Sequence, residues 1–188
     1  MAKKIIEKLI SFFSRTDDMQ AEGTLREFTG KPEVIKLCKA DLKHVDTGMY
    51  LFTDNTLSYQ LQEGKTIRAV VLGKQGKTVY AFLPEEQNLL HERDRDYREY
   101  APQILVDDDY MCCIKCMPSL ETLMNAYFYV NDLNQALEEA KLPKLVGRYW
   151  SWDNSRPYFM YNVEKGEKSL ITKGCSAKAR FLLEMKLK

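Results

Sequence analysis

Between Pro118 and Pro143 the chain carries two helical patterns in tandem, and long runs on either side change to a period of two. Leu120, Leu123, Met124, Tyr127 and Phe128 recur at i, i+3, i+4, i+7 and i+8, one stripe of an amphipathic helix. Ser119 stands where an N-cap is wanted. A second stripe follows in Leu133, Ala136, Leu137 and Ala140, with Asn131 or Asp132 as its cap and Pro143 as its stop. Strands, then paired helices, then strands predicts an α+β domain whose antiparallel sheet takes segments from both sides of the helical pair.

Before the helices, "GMYLF" and "TLSYQL" read as strands joined across "TDNT", where Asp54 and Asn55 suit a tight turn. "TIRAVVLG" and "KTVYAFL" form a second hairpin around "GKQGK", with Gly73 and Gly76 able to take positive φ. The charged, aperiodic stretch "PEEQNLLHERDRDYREYAP" reads as a surface loop with a short helix, and "QILVDDDYMCCIKC" has β-forming residues at both ends. After the helices, "PYFMYNV" and "EKSLIT" form a hairpin through Gly166. "AKARFLLEMK" reads as one last strand, with Ala179, Phe181, Leu183 and Met185 alternating against charged or exposed positions.

Residues 3 to 15 form a further helical pattern, with Ile5, Ile6, Leu9, Ile10 and Phe13 on one face and a mostly basic face opposite. Such a stripe is a packing face, against the domain or another copy; the basic face offers a second reading as a membrane-surface helix. The polar "SRTDDMQAEGT" reads as a linker, so residues 1–20 are expected as helix and linker and 21–188 as the folded domain. Glu7 and Lys8 interrupt any secretory apolar core, and no run approaches the about 18 apolar residues of a membrane span. Cytoplasmic synthesis is expected, with membrane contact a minor reading.

The order of these segments resembles the DUF1566-like group, related to the Fibrobacter major paralogous domain common in Bacteroidetes proteins. "GMYLFTDNTLSYQLQEGKTIRAVVLGKQGKTVYAFL" resembles that family's opening hairpin and strand. "MPSLETLMNAYFYVNDLNQALEEAKLPKLVGRYWSW" resembles its two helices and "Y-W-S-S" element, and "YFMYNVEKGEKSLITKGCSAKARFLLEM" its closing hairpin and final strand. The likeness covers roughly residues 45 to 186. Departures are "IKCMPS" before the first helix, Ser151-Trp152 after the tryptophan, and a final strand that keeps only Arg180 of its arginines. The resemblance implies a C-type-lectin-like, formylglycine-generating-enzyme-like fold with two flanking helices. It also implies a core position for Trp150, with Tyr149 and Trp152 expected nearer the opposite face.

Chemistry is sparse in the chain. A net charge of +1 gives no global pull toward nucleic acid, and no Gly-rich phosphate loop is present. Five cysteines, three of them within "CCIKC", fit a reducing compartment. A single Cys-x-x-Cys spacing without a second pair predicts buried free thiols rather than zinc. Formylglycine-generating relatives use a cysteine pair with copper near the domain's end, and only Cys175 lies in that region. His44 and His91 sit in no nucleophile–base arrangement, and Asp107 to Asp109 read as a solvated turn. The chain is therefore expected to be a non-enzymatic binding or assembly module, without catalytic residues, metal or cofactor. An adhesin-type or phage-encoded virion component would match such a module. The expected contact residues for a protein or glycan partner are Tyr149, Trp152, Asp153, Asn154 and Arg156; self-association is expected through the helix at 3–15. The rival readings are a thiol-dependent enzyme using Cys112, Cys113 and Cys116, and a membrane-peripheral protein docked by residues 3–15.

Overall fold

The computed structural model describes residues 34–90, 101–152, 159–171 and 175–188. The chain divides after Lys31, and everything below concerns the unit Pro32–Lys188. The stripe Ile5, Ile6, Leu9, Ile10 and Phe13 and the linker after it lie outside the described residues.

The strands before the helices are β1 (Ile35–Lys36), β2 (Tyr50–Phe52), β3 (Thr56–Ser58), β4 (Ile67–Gln75), β5 (Thr78–Phe82), β6 (Gln87–Leu90), β7 (Gln103–Asp107) and β8 (Met111–Cys116). Then come α1 (Leu120–Phe128) and α2 (Val130–Glu139). β9 (Arg148–Trp150), β10 (Phe159–Asn162), β11 (Glu167–Leu170), β12 (Ser176–Ala179) and β13 (Leu182–Leu187) follow. The α+β reading holds, with β-structure dominant, two α-helices among the described residues and mostly antiparallel pairing.

Two sheets form where one was expected. Among the described residues the larger has the order β1-β3-β2-β4-β5-β13-β8-β7, and the smaller β11-β10-β9-β12-β6. All pairs are antiparallel except β9 with β12. The expected last strand is really two. Its first half, β12, belongs to the small sheet and its second half, β13, to the large one, so the chain changes sheets at Arg180 and Phe181. Along β13 the expected alternation holds: Leu183, Met185 and Leu187 are buried in one cluster while Lys186 is exposed, and Leu182, at the start of the strand, is buried in the other cluster. The segment read as a charged loop contributes β6, which pairs with β12.

Both faces of the large sheet are core. Along β4, Ala69 and Val71 join one cluster with Leu51, Val79, Ala81, Leu183 and Met185. Val70 and Leu72 join a second with Tyr50, Phe52, Phe82 and the inward residues of both helices. Each fully buried side chain of this size contributes about 1.5–3 kcal/mol of transfer free energy. The first face is concave. Nη2 of the Arg68 side chain on β4 lies 3.6 Å from Sγ of Cys113 on β8. Three flat strand steps would put those strands about 14 Å apart, beyond an arginine's reach, so the sheet bends over this face. Residues Ile35, Leu37, Val45 and Met49 close it as a strap.

Local chemistry explains the joints. Asn55 takes φ 60° in the first hairpin. Beside it Asp54 accepts from Thr56 N–H at 3.0 Å and pairs with Lys65 at 2.8 Å. The lysine bond above all holds the Asp54 carboxyl down to about 2. Gly76 takes positive φ as expected, but Gly73 does not; it sits in β4, beside a register shift between Val71 and Gly73 that absorbs the irregularity. Ser119 caps α1 by accepting from Thr122 N–H at 3.1 Å. α2 begins at Val130, two residues before an Asn131 cap would allow and three before an Asp132 cap. Tyr129 ends α1 and opens α2 in a single step, its N–H reaching Ala126 O at 3.2 Å and its carbonyl accepting Leu133 N–H at 3.0 Å. Asp132 thus falls in the first turn, where its charge suits the helix dipole.

The β10–β11 hairpin turns at Gly166, φ 70°, directly against the Tyr127 ring, where a Cβ would lie 3.0 Å from the ring. Gly166→Ala therefore meets both a disfavoured backbone and a filled space. We expect a loss of stability of roughly 1–2 kcal/mol from the backbone term alone, read as a lower urea midpoint with an unchanged slope.

Candidate functional site

β9 is an inner strand of the small sheet, between β10 and β12. Trp150 points into a satellite core with Met117, Met160, Ala177 and Ala179, as the core reading expected. Tyr149 points the other way, but it does not reach a surface. That side is also packed, and Tyr149 is wholly buried in the cluster shared with the helices. Its place among the contact residues is corrected on this ground: alternation separates two buried faces here, not inside from outside. Trp152 is half-buried and packs on the same satellite core as Trp150, not on the opposite side. Residues two apart on an extended chain share a face. Its backbone N–H bonds Pro118 O at 2.9 Å, tying it to the entry of α1. Asp153, Asn154 and Arg156 lie outside the described residues.

What Tyr149 meets instead is a buried polar knot that the sequence did not suggest. Its hydroxyl donates to Glu86, just before β6, and accepts from Val146 N–H at 3.3 Å. Lys178 of β12 pairs with the other Glu86 oxygen at 2.9 Å. Arg180, with no exposed surface, puts Nη2 2.5 Å from Pro143 O and 3.7 Å from Glu86. Burial pushes Tyr149 well above the usual phenol range, with the Glu86 bond adding to it. Burial likewise pulls Arg180 down, opposed by Tyr149 and Glu86. A phenol held protonated in this way is no general base. The knot joins the small sheet, the change of sheets and the exit of α2; it is structural chemistry. The sequence carried no signal for it, since Arg180 falls among the charged positions that alternate with Ala179, Phe181 and Leu183.

The thiols are likewise placed for packing. Cys113 is fully buried in the concave cluster, and Cys112, on the other face, is half-buried. Burial raises the Cys113 thiol, with Arg68 opposing it, and burial pushes Cys116 up to about 12. Among the described residues no three His, Cys, Asp or Glu side chains converge as a metal ion would need.

The surface offers a different feature. Among the described residues β7 is the outermost strand of the large sheet at its β8 side. Ile104 is 67% exposed, Leu105 47%, and Tyr110 at the hairpin tip 82%. The register shifts between Ile104 and Val106, so Leu105 is an extra residue. Such a bulge disfavours strand-to-strand pairing at an edge. What this hairpin presents is therefore its side chains. The acidic turn behaves as expected: the Asp108 carboxylate accepts the N–H groups of Tyr110 and Met111, each at 2.8 Å, and Lys188 pairs with Asp107. The consecutive "ILV" of β7 was the available sign, since an apolar run without alternation on an edge leaves some of its members outside.

Compared with family models, with curated proteins and with solved structures, the chain matches none.

Removing Glu86 takes away the carboxylate nearest the buried Arg180 and leaves its Nη2 on the Pro143 carbonyl. Glu86→Ala is expected to cost about 3–5 kcal/mol, and Tyr149→Phe, which removes the hydroxyl's bonds to Glu86 and Val146 but leaves the ion pair, about 1–3 kcal/mol. Urea unfolding of the two variants side by side checks the order; equal small losses would deny the knot its role. The cysteines give a second check. In the native chain at neutral pH, Cys113 and Cys116 should stay unmodified by an aromatic disulfide reagent and become reactive in denaturant, as mapped by mass spectrometry.

Proposed function

We propose that this chain is a non-enzymatic binding or assembly module. One observation carries the reading: Ile104, Leu105 and Tyr110 stand exposed on a single hairpin at the edge of an otherwise well-packed sheet. Large apolar side chains grouped on a surface mark contact sites more often than scattered ones do. A protein partner, or another copy of the chain, is the chemistry such side chains fit. The amphipathic stripe at residues 3–15 is kept in this reading as a second means of self-association, drawn from its sequence pattern alone.

Within the proposal, the domain is a divergent C-type-lectin-like module resembling the DUF1566-like group. Its support is the succession of paired helices, β9 and the β10–β11 hairpin in the order that the resemblance implied. A role as an adhesin-type or virion component, and a glycan read by Trp152 with its neighbouring loop, belong to the same proposal. The thiol-enzyme alternative loses support from Cys113 and Cys116, which burial disfavours as thiolates. No helix among the described residues is long and apolar enough to cross a membrane.

The test is solution mass by light scattering under reducing conditions. The full chain should exceed the 21.9 kDa of one copy. Ile104→Glu combined with Tyr110→Glu should lower that mass, and deletion of residues 1–20 should lower it through the other surface. A full chain that stays a single copy at all concentrations would remove self-association. The hairpin would then have to be shown to hold another protein or be abandoned as a contact site.

A further inference from the structure

The β7–β8 hairpin is apolar with an acidic rim, and the rim narrows what can meet it. Ile104, Leu105 and Tyr110 are exposed within a single copy. Ile104 is in register with the half-buried Ile114 of β8, and Ile114 with Glu184 of β13. Residues in one such row share a face of the sheet. A second row on that face holds Asp107, Cys112 and Lys186. Asp108 and Asp109 lie in the turn beside Tyr110. The hairpin and these rows thus set four carboxylates (Asp107, Asp108, Asp109 and Glu184) against two ammonium groups, Lys186 and Lys188. Lys188 is already paired with Asp107. Lys115, the remaining cation of β8, lies over the Phe181 ring at 4.6 Å from its centroid.

Complementary potential selects partners, so a surface of this kind fits one that is apolar with a basic rim. The chain carries a segment of that description. Along residues 3–15, Ile6, Leu9, Ile10 and Phe13 recur at i, i+3, i+4 and i+7, the spacing of the anchors by which an amphipathic segment lies on another surface. Lys3, Lys4, Lys8 and Arg15 less Glu7 give the segment a formal charge of +3. Two hairpins meeting each other would instead bring like charges together, which specific interfaces avoid.

We infer that the hairpin of one copy takes residues 3–15 of a second copy, so that the two self-association surfaces are the halves of one contact. The inference rests on the reading of the hairpin as a contact surface. A contact between two different patches is heterologous. Each pair of copies then keeps one hairpin and one stripe open, and growth continues into a ring or an open filament rather than stopping at two.

The experiment mixes two full-length variants and reads solution mass by light scattering. Ile104→Glu with Tyr110→Glu spoils the hairpin, and Leu9→Asp with Phe13→Asp spoils the stripe; urea unfolding confirms that each is folded. Should the hairpin variant fail to fold, Ile104→Gln with Tyr110→Ser takes its place. Each variant alone should stay at the 21.9 kDa of one copy. Their equimolar mixture should reach twice that mass and go no further, because only one intact hairpin meets one intact stripe. Raising the ionic strength should dissociate this mixed pair by degrees. A mixture that stays at the mass of one copy overturns the inference, and a parent chain above one copy then leaves the hairpin standing as a self-association surface. A variant that self-associates alone overturns it too, in favour of hairpin on hairpin or stripe on stripe. A mixed pair indifferent to salt overturns the charge match that chose the occupant. A parent chain of one copy at all concentrations overturns both the inference and self-association itself.

Discussion

A buried guanidinium sits where the chain leaves one sheet for the other, and the rest of the unit is arranged around that placement. Arg180 follows β12 and precedes β13. Burying such a charge is unfavourable unless a carboxylate and good acceptors come with it. Glu86 and the Pro143 carbonyl meet that need in part, from two distant parts of the chain, through Nη2; Nε and Nη1 find no hydrogen-bond partner among the described residues, and Tyr149 and Lys178 hold Glu86 in turn. The segment before β6, the exit of α2, and strands β9 and β12 are thereby brought to one point. Apolar packing supplies most of the free energy of folding, but it is not directional; this knot is directional, and it fixes where the two sheets meet.

The fold was legible wherever one physical period ruled a segment. The stripe from Leu120 to Phe128 yields α1, and the hairpins around Asn55 and Gly76 form at turns whose residues tolerate positive φ. Legibility failed where tertiary contacts overrode the period. From Ala177 to Leu187 the run reads as one strand because nothing local marks a change of sheet. The break shows only in space, through a charge buried at Arg180. β6 was hidden for the same reason: Gln87 to Leu90 have no alternating pattern, and their strand state comes from pairing with β12.

The site was less legible than the fold. Aromatic residues near a loop suggested a reading surface, yet Tyr149 and Trp150 serve two different cores on the two sides of one strand. Alternation tells which residues share a face; it does not say how many faces are covered. Conversely, Ile104 and Leu105 look like core in sequence and stand outside, because β7 is an edge and its bulge spoils the alternation. Partners such as Glu86 and Lys178 carry no sequence mark at all, being ordinary charges until the fold brings them to Tyr149.

The middle position of β13 bears on how the chain is made as well as on how it stands. β5 and β8 are both present long before residues 182–187 emerge during synthesis, yet neither has its neighbour until then. For that interval the nascent polypeptide displays two unfinished edges, one of them beside the apolar run of β4 and β5. Contacts so distant along the chain close slowly, and open edges invite pairing with the wrong strand. The interval between the making of β8 and the arrival of β13 is therefore when mispairing of this sheet is most open.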